Sequence, residues 1–414
     1  MFFIYNLIST FFLIISPIIV IYRIAIGKED KIRFIERYAI SSKKRKKGKL
    51  VWFHCSSVGE LLSIIPIIEK LELNTKIDQV LITTTTLSSS KIFEKFKFKK
   101  SLHQFFPIDN KFILNRFLSY WKPAALLLCE SEIWPNLICA TKNRKIKLIL
   151  INARITKKSF KRWRLLKHFS KKIFKKFDVC FSQNTETKAR LVKLGATNTK
   201  NLGNLKFTTS KNIKYDILDN KIRSFFKRKK ILITGASTHF NEENFVIQSH
   251  LHFQKTSKNI ISIIIPRHIE RVSEITKELN KFSLKYHTHS NQNKINDKID
   301  IYIVDTYGEL NKFYRISDLV FMGGSLIKHG GQNPLEPAKH GCRIIHGPNI
   351  DNFKEIYNKL NDMKISTKFH SYKNGIKTID NKLKNKKSNF DNKKIINYGQ
   401  KILKSTYTEI IKLI

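Results

Sequence analysis

Short apolar segments that alternate with helical stretches constrain the fold of this chain more than any other feature. In the first half, four runs rich in Val, Leu and Ile are separated by apolar-periodic helical segments. These runs are residues 50–55, 79–84, 124–129 and 147–151, and a fifth run covers residues 179–182. Continuous apolar strands separated by helices indicate parallel β-sheets built from βαβ units.

The same pattern begins again near Lys229. Its apolar runs are residues 231–235, 260–265, 301–304, 319–322 and 343–345. The polar, lysine-rich region 208–228 between the two series fits a linker. A length of 414 residues also fits two domains of roughly 150 to 200 residues. We therefore expect an α/β fold of two Rossmann-like domains facing a cleft, with ligands at the carboxyl ends of the strands.

The first segment predicts attachment to a membrane. Residues 2–22 contain no charged side chain, and a span of about 20 residues can cross a hydrocarbon core. Arg23, Lys28 and Lys31 follow closely, which predicts that the rest of the chain faces the cytoplasm. A cleavable signal peptide fits less well, because a basic start and a small-residue cleavage site are missing. The segment could also be a helix lying in the membrane interface, although it shows no polar face.

The charge balance favours anionic partners. The formal net charge is +46, which suits nucleic acid, acidic lipid headgroups or phosphorylated substrates. The charge is spread along the chain rather than clustered with aromatic residues, and this argues against nucleic acid. The five cysteines show no C-x-x-C spacing, so we expect buried thiols in a reducing compartment, with neither a disulfide framework nor a zinc site.

A glycine-rich loop in the second half suggests a phosphate site. Residues 323–338, GGSLIKHGGQNPLEPA, follow the apolar run that ends at Met322 and lead into a helix expected to open at Asn333. Asn333 suits the N-cap, Pro334 the first helical position and Glu336 a capping box. Free backbone N–H groups at such a loop and helix start can bind phosphate, and the alternative is a tight turn.

Other polar residues follow predicted strands, where α/β proteins carry their sites. In the first half these are Glu60, the pair Glu130 and Glu132, and Lys206. A carboxylate at the mouth of a cleft can act as a general base, although Glu60 also fits an acid at a helix N-terminus. Two carboxylates at one strand end must face a polar cleft or pair with cations. Lys206 is either near the cleft or one more surface lysine.

In the second half, Arg267 follows the run 260–265, and residues 306–310 follow the run 301–304. An arginine at a strand end can bind phosphate through two hydrogen bonds, and a turn that opens a helix offers backbone N–H donors. Together with the glycine loop, three strand ends therefore present anion-binding groups.

Taken in chain order, these loops resemble those of the Kdo transferases of lipid A biosynthesis, which are membrane-anchored glycosyltransferases of the GT-B type. The resemblance spans nearly the whole chain. Its segments are HCSSVGE (54–60), ESEIWPNL (130–137), NARIT (152–156), GNLKF (203–207), ASTH (236–239), PRH (266–268), DTYGEL (305–310) and GGSLIKHGGQNPLEPA (323–338). Each segment alone is weak, whereas the ordered set is highly specific.

The resemblance implies transfer of Kdo from CMP-Kdo to the phosphorylated lipid A precursor lipid IVA, with inversion of the anomeric centre and release of CMP. It implies that Glu60 is the catalytic base, which accepts the proton of the acceptor hydroxyl. Glu130 and Lys206 match positions that stabilise the transition state. GT-B enzymes generally work without a metal, so no metal or other cofactor is expected.

The resemblance also assigns the CMP moiety of the donor to three loops of the second half. The matching residues are Pro266, Arg267, Tyr307, Gly308, Glu309, Asn333, Pro334, Leu335 and Glu336. The implied domains are a membrane anchor at 1–25, an acceptor-binding domain at 26–210 and a CMP-sugar-binding domain at 211–414. The implied location is the cytoplasmic side of a bacterial inner membrane, with a single-pass anchor and an anionic lipid surface as a partner.

Three positions depart from the usual motifs of the family. Gln332 stands where histidine is usual, Tyr307 where methionine is common, and Ser131 where threonine is usual. The main competing function is another membrane-associated GT-B enzyme with a different nucleotide sugar. Two further possibilities are a basic nucleic-acid-binding protein and an inactive GT-B membrane protein.

Overall fold

The computed structural model describes residues 1–210, 212, 216–257, 259–291, 293–384 and 392–414. The chain forms two compact units, and the first is discontinuous in sequence. Unit 1 contains Met1–Asn212 and Asn397–Ile414, and unit 2 contains Ile213–Ile396.

Unit 1 is built on a parallel sheet, as the alternating pattern predicts. Its strands are β1 (Leu50–His54), β2 (Gln79–Thr84), β3 (Ser101–Phe105), β4 (Ala125–Cys129), β5 (Lys147–Ala153), β6 (Val179–Ser182) and β7 (Thr199–Asn201). The strand order is β3-β2-β1-β4-β5-β6-β7, and each pair is parallel. Successive strands are therefore added to one side of β1 as far as β3 and then to its other side from β4 onwards. In a Rossmann-like sheet, a crevice opens at such a switch point, here between β1 and β4.

The helices of unit 1 pack around this sheet. They are α1 (Phe2–Ala25), α2 (Val58–Glu72), α3 (Leu87–Glu94), α4 (Lys111–Trp121), α5 (Pro135–Asn143), α6 (Lys157–Leu165), α7 (Lys167–Phe174) and α8 (Thr185–Leu194). Short 3-10 helices span Arg33–Tyr38 and Leu205–Phe207. Several helices begin where the sequence provides a capping side chain: Ser57, Thr86 and Asn110 each accept a hydrogen bond from the first turn of α2, α3 and α4.

Unit 2 repeats the architecture. Its strands are β8 (Lys230–Thr238), β9 (Ile260–Pro266), β10 (Tyr286–Thr288), β11 (Ile301–Ile303), β12 (Leu319–Met322), β13 (Arg343–His346) and β14 (Ser366–Lys368). Its helices are α9 (Asn220–Lys227), α10 (Glu242–Gln254), α11 (Val272–Lys281), α12 (Leu310–Tyr314), α13 (Leu335–Lys339), α14 (Lys354–Asp362) and α15 (Tyr372–Lys384). The strand order is β10-β11-β9-β8-β12-β13-β14, all parallel, so the reversal lies between β8 and β12.

The end of the chain lies in a different unit from the one that the sequence suggested. The expected second domain ran to residue 414, but most of α16 (Lys393–Leu413) belongs to unit 1. The ring of Tyr398 packs on Phe207 with centroids 5.1 Å apart. The side chain of Ile402 lies against Gly203, close to where a Cβ atom would stand. These contacts bury apolar groups of α16 on unit 1, and they exist only once the chain has folded.

The expected linker, residues 208–228, is also more ordered than its polar composition indicates. It contains α9, whose Phe225 and Phe226 are buried in a core cluster of unit 2. Residues 211 and 213–215 of this segment lie outside the described residues. Two adjacent phenylalanines therefore tie the end of the segment to the second sheet.

Candidate active site

Glu60 lies in the first turn of α2, directly after β1. The Ser57 side chain caps the helix by accepting a hydrogen bond from the Glu60 N–H at 3.3 Å. The Glu60 carboxylate accepts hydrogen bonds from the Ser56 N–H at 2.9 Å and from the Ser57 hydroxyl at 3.0 Å. The side chain thus folds back over the start of its own helix, in the manner of a capping box. This contact fixes the carboxylate at the carboxyl end of the sheet.

The surroundings of Glu60 favour its protonated form. Burial raises its pKa to about 7, the Ser56 N–H opposes this rise, and the nearby charges of Glu132 and Glu130 add to it. A carboxylate with a pKa near neutrality can accept a proton and release it again under ordinary conditions. The structural role as a helix-start acid and the chemical role as a base are therefore compatible in one residue.

Glu130 follows β4, the strand beside β1, and is held in an unusual conformation. Its φ of 51° lies in the left-handed region, and the residue is only 5% exposed. Lys206 supplies the opposite charge, with 2.7 Å between its Nζ and Glu130 Oε1. The Asn152 side-chain amide also donates to the same oxygen at 3.4 Å. A buried charge pair with additional hydrogen bonds at a strained position is typical of a functional site.

A set of amide side chains holds Lys206 next to this carboxylate. The Asn152 side-chain oxygen accepts a hydrogen bond from the Leu205 N–H at 2.9 Å, and Asn204 accepts one from the Lys206 N–H at 2.9 Å. Gln183 connects the two asparagines, because it donates to the Asn152 carbonyl and accepts from the Asn204 amide. The short 3-10 helix that carries Lys206 is therefore fixed to the ends of β5 and β6.

Glu132 has a different environment from Glu130. The ring of His54 approaches its Oε2 atom at 3.2 Å, and the Trp134 indole N–H donates to the same atom at 2.8 Å. Burial opposes ionisation of Glu132, but its hydrogen bond and charge interaction with His54 outweigh burial and lower its pKa. The two carboxylates are thus paired with cations or donors, as their spacing at one strand end predicted, and Glu132 stays ionised near Glu60.

In unit 2, the candidate nucleotide residues follow three strands, β9, β11 and β12, which lie next to or on either side of β8. Pro266 ends β9, and the Arg267 N–H donates to the carbonyl oxygen of Thr238, at the end of β8, at 2.9 Å. Tyr307 follows β11, and the glycine loop follows β12. Since these strands are adjacent in the order β11-β9-β8-β12, their loops meet at one edge of the sheet. The structure therefore brings the predicted residues together within unit 2.

The turn at Tyr307–Glu309 presents its residues to solvent. Tyr307 is 60% exposed, and its hydroxyl donates to Glu270 at 3.2 Å. Gly308 has a φ of 91°, which suits glycine, and Glu309 occupies the N-cap position of α12. The Glu309 carboxylate lies 3.0 Å from Lys312 Nζ. This turn leaves an exposed aromatic ring beside the end of β9.

The glycine loop differs from the expectation that its backbone N–H groups are free. The carboxylate of Glu242 accepts hydrogen bonds from the N–H groups of Gly324 at 2.6 Å, Ser325 at 2.9 Å and Leu326 at 2.9 Å. It also accepts one from the His239 N–H at 3.0 Å. An internal carboxylate thus occupies the donors that were predicted for phosphate. Glu242 was not predicted from the sequence, where it resembles any acid in the first turn of a helix.

The helix expected to open at Asn333 is shorter and begins later. It spans Leu335–Lys339 with Pro334 at the N-cap position, and Asn333 Oδ1 accepts from the Leu335 N–H at 3.1 Å. Asn333 still caps the turn, but from one position further out than predicted. The proline at the start and Pro337 within the segment limit the helix to about one turn. Glu336 is exposed on this turn.

A cluster of imidazole and amide groups lies between the ends of β8 and β12. The ring of His239 is 4.2 Å from that of His329 and 5.9 Å from that of His268, between centroids. The Gln332 side-chain nitrogen lies 3.1 Å from His239 Nε2. Burial, together with the neighbouring histidines and Arg267, lowers the pKa of His239 to about 4. Gln332 therefore has a specific partner, and the edge of unit 2 is rich in basic groups.

Comparison with known proteins agrees with this arrangement. Residues 32–209 match the family described as 3-deoxy-D-manno-octulosonic-acid transferase (kdotransferase). The chain is 34% identical over 352 residues to the 3-deoxy-D-manno-octulosonic acid transferase of Rickettsia bellii, covering 85% of this chain and 84% of that protein. It is 33% identical over 387 residues to a probable mitochondrial 3-deoxy-D-manno-octulosonic acid transferase of Arabidopsis thaliana, covering 88% and 86% of the two chains.

Solved structures with little sequence similarity share the two-unit fold. A crystal structure of UDP-N-acetylglucosamine 2-epimerase matches with a TM-score of 0.60 at 12% identity, covering 89% of this chain and 96% of that one. A putative enzyme of the same name from Listeria monocytogenes matches with a TM-score of 0.57 at 13% identity, covering 86% and 91%. These matches confirm the predicted GT-B-type fold of two parallel-sheet domains. By its sequence relatives, the chain belongs to the 3-deoxy-D-manno-octulosonic acid (Kdo) transferase family of glycosyltransferases.

Proposed function

We propose that this Kdo transferase moves Kdo from CMP-Kdo to a phosphorylated lipid A precursor, lipid IVA, with inversion and release of CMP. One observation carries the proposal: Glu60, with a pKa of about 7, lies beside the Glu130–Lys206 ion pair at the reversal point of the unit 1 sheet. Enzymes that deprotonate a hydroxyl at neutral pH use a carboxylate tuned in this way.

In the proposed step, Glu60 removes the proton from the acceptor hydroxyl while that oxygen attacks the anomeric carbon of Kdo. The new C–O bond forms as the bond between the anomeric carbon and the CMP phosphate oxygen breaks. The electron pair of the broken bond stays on CMP, and the proton stays on Glu60 until solvent takes it. Direct displacement of this kind inverts the anomeric centre.

The charge that develops in this step requires compensation by fixed donors. We propose that Lys206, held by Glu130 at 2.7 Å, stabilises the transition state, and that Arg267 binds the phosphate of CMP. The CMP moiety would contact Pro266 and Arg267, the turn Tyr307–Glu309, and residues 333–336. Because Glu242 occupies the amides of Gly324 to Leu326, the arginine and the basic cluster are the better candidates for phosphate binding.

We propose that the reaction uses no metal and no other cofactor. The expected outcome is that a chelator such as EDTA leaves the initial rate of transfer unchanged. A rate that falls with EDTA and returns with added Mg²⁺ would contradict this part of the proposal.

We also propose that the protein works at the cytoplasmic face of a bacterial inner membrane, to which α1 attaches it. Within the described residues, α1 alone is long and apolar enough to cross a membrane.

The test of the base is Glu60→Gln. This change keeps a hydrogen-bond acceptor at the helix start but removes the group that takes the proton, so transfer of Kdo should fall at least about a thousandfold. CMP binding should be unchanged, because Glu60 lies in unit 1 and the proposed CMP residues lie in unit 2. Near-normal turnover of this variant, measured by mass spectrometry of the acceptor lipid, would overturn the assignment.

The nucleotide is tested separately. CMP should raise the thermal unfolding temperature of the full chain, whereas UDP at the same concentration should not. Protection by UDP alone would favour a GT-B enzyme with a different nucleotide sugar. An Arg267→Ala variant should lose most of the protection by CMP, and its unchanged protection would argue against the proposed phosphate contact.

A further inference from the structure

Helix α1 contacts unit 1 through a stripe of polar side chains. The Tyr5 hydroxyl donates to Asp109 at 2.7 Å, and the Asn136 side-chain amide donates to the Ser9 hydroxyl at 3.2 Å. The Ser16 and Tyr38 hydroxyls are 3.1 Å apart. Positions 5, 9 and 16 fall on one face of a helix with 3.6 residues per turn. The sequence showed no polar face in this segment, because its polar side chains carry no charge and are few. In the folded chain, these side chains form the face through which α1 docks on unit 1.

The contacts extend along most of the helix. Near its start, the ring of Phe2 packs edge-on against Phe169 of α7 with centroids 4.9 Å apart. Near its end, Arg23 pairs with the buried Glu29 at 3.1 Å. From Phe2 to Arg23 the helix rises by about 31 Å. Both ends of α1 are thus held by the same folded unit.

The opposite face of α1 is apolar and exposed. Phe3 is 78% exposed, Ile14 71% and Ile18 70%. Other large apolar side chains share this exposure: Ile4, Leu7, Ile8, Phe11, Phe12, Ile19, Ile21 and Tyr22. A continuous exposed row of this kind is unfavourable in water and marks a contact with another apolar medium.

A strongly basic helical hairpin lies beside the start of α1. Helices α6 and α7 are joined at Leu166, and residues 157–176 contain ten lysines and arginines and no acidic residue. The Phe169 ring that packs on Phe2 is also stacked on Trp163 of α6, at 6.4 Å. Leu165, at the end of α6, is 84% exposed. The hairpin thus combines positive charge with an exposed apolar tip, and it contacts the start of α1 through Phe169.

A cavity lies where the hairpin meets the helix. It has a volume of about 440 Å³ and is lined by Phe2, Cys139, Asn143, Lys172, Lys175 and Lys176. Three lysines around an opening next to an apolar helix suit a lipid phosphate whose acyl chains lie along that helix.

We propose that α1 lies in the plane of one leaflet of a bilayer containing anionic phospholipid, with its apolar face among the acyl chains and the α6–α7 hairpin at the headgroups. A helix that crossed the bilayer would leave its contacts with unit 1 or carry Asp109 and its amide neighbours into hydrocarbon, which is costly. We therefore propose this interfacial arrangement instead of the crossing helix that the sequence predicts. This inference does not depend on which sugar is transferred.

The side on which the N-terminus lies distinguishes the two arrangements. In a Cys139→Ser background, one cysteine is placed in a short uncharged tag before Met1, and a reference cysteine is placed at the exposed residue Lys95. An impermeant maleimide should label both cysteines from the same side of the membrane, in inverted vesicles but not in intact spheroplasts. Labelling of the tag from the side opposite Lys95 would show a crossing helix and overturn the proposal.

A cross-link tests whether the docked helix exists in membranes. Ser9→Cys with Asn136→Cys, in the Cys139→Ser background, should form an intramolecular disulfide on mild oxidation. Phe11→Cys with Asn136→Cys is the matched control, because Phe11 is 61% exposed on the outer face and should remain reduced. Equal cross-linking of both pairs, or of neither, would overturn the docking. A cross-linked dimer in the control would identify a second copy, rather than lipid, as the occupant of the outer face.

Vesicle binding tests the basic hairpin. The full chain should bind vesicles of phosphatidylcholine with 30% phosphatidylglycerol at least about tenfold more tightly than vesicles of phosphatidylcholine alone. The double variant Lys172→Glu and Lys175→Glu should lose most of this difference, whereas Lys95→Glu with Lys97→Glu should keep it. Equal losses in the two double variants would show a general charge effect and contradict a specific headgroup surface.

Discussion

The Glu60→Gln variant, which we expect to lose transfer activity, should be more stable than the natural protein at alkaline pH. Burial and the charges of Glu132 and Glu130 raise the pKa of Glu60 from 4.5 to about 7 in the folded state. The folded chain therefore binds this proton more tightly than the unfolded chain does. Between these two pH values, the folded state loses stability as the pH rises, because a partly buried carboxyl must ionise. Glutamine has no such proton to lose.

The size of the effect follows from the interval between the two pKa values. An interval of about 2.5 pH units corresponds to at most about 3 kcal/mol in the free energy of unfolding. Since Glu60 is only partly buried, screening by solvent reduces our expectation to about 1 to 2 kcal/mol. For a unit of this size, that difference corresponds to roughly 2 to 8 °C in the midpoint of thermal unfolding.

The assay is thermal unfolding of both proteins from pH 4 to pH 9 at constant ionic strength. The two midpoints should agree near pH 4, diverge between pH 4.5 and pH 7, and stay apart at higher pH. Glu94→Gln is the matched control, because the Glu94 side chain lies in the same unit and is 64% exposed. That variant should follow the natural protein throughout. A stability difference for Glu60→Gln that is constant with pH, or that has the opposite sign, would refute the reasoning.

The pH dependence of the transfer rate measures the pKa of Glu60 independently of protein stability. A base must be deprotonated to act, so kcat/KM should rise about tenfold per pH unit below pH 7 and level off above it. An inflection near pH 4.5 would mean that Glu60 has an ordinary pKa in the folded protein.

Three further changes test the structure around the two sites. Lys206→Ala leaves the buried Glu130 without its ammonium partner, so the free energy of unfolding by denaturant should fall by about 3 kcal/mol, and adding Glu130→Gln should recover much of it. Glu242→Ala leaves three glycine-loop amides without their acceptor, so calorimetry should show at least tenfold weaker CMP binding, whereas Glu242→Gln should keep part of the affinity. Gly323→Ala would bring a Cβ atom to 2.1 Å from a backbone oxygen and should destabilise unit 2 by about 3 kcal/mol or more. Gly59→Ala is the matched control and should be neutral or stabilising, because no described atom outside its chain neighbours and its own helix backbone lies within 4 Å of the new Cβ.

The strands that the sequence predicts lie inside the two sheets, whereas the strands that it misses lie at the sheet edges. The predicted runs at 79–84, 179–182 and 319–322 have the same bounds as β2, β6 and β12, and the other predicted runs shift by a few residues at their ends. The strands not predicted, β3, β7, β10 and β14, are the outermost strands of the two sheets. Their sequences, SLHQF, TKN, YHT and STK, are short and polar, because an edge strand is covered on fewer sides than a central one.

Most residues of the candidate site could be predicted because they follow central strands, which are apolar and easy to recognise in the sequence. Glu60, Glu130 and Arg267 follow apolar central strands, so their place at the sheet edge could be predicted from the pattern. Which carboxylate pairs with Lys206 could not, because β4 and the 3-10 helix that carries Lys206 are far apart in sequence. Glu242 was missed because its local sequence looks like that of any acid in the first turn of a helix. Nothing near it in sequence indicates that its carboxylate reaches a loop about 80 residues away.

The two parallel sheets, the apolar first helix and the polar loops that follow the central strands can all be inferred from the sequence alone. Each of these depends on periodicity and residue type within about twenty positions, which is information that the chain carries locally. Three other features emerge only in the folded chain: Tyr5 and Ser9 form a docking face, α16 returns to unit 1, and Glu242 occupies the glycine loop. Those outcomes depend on which distant groups meet, and hydrogen bonding and packing between them are settled only when the whole unit folds.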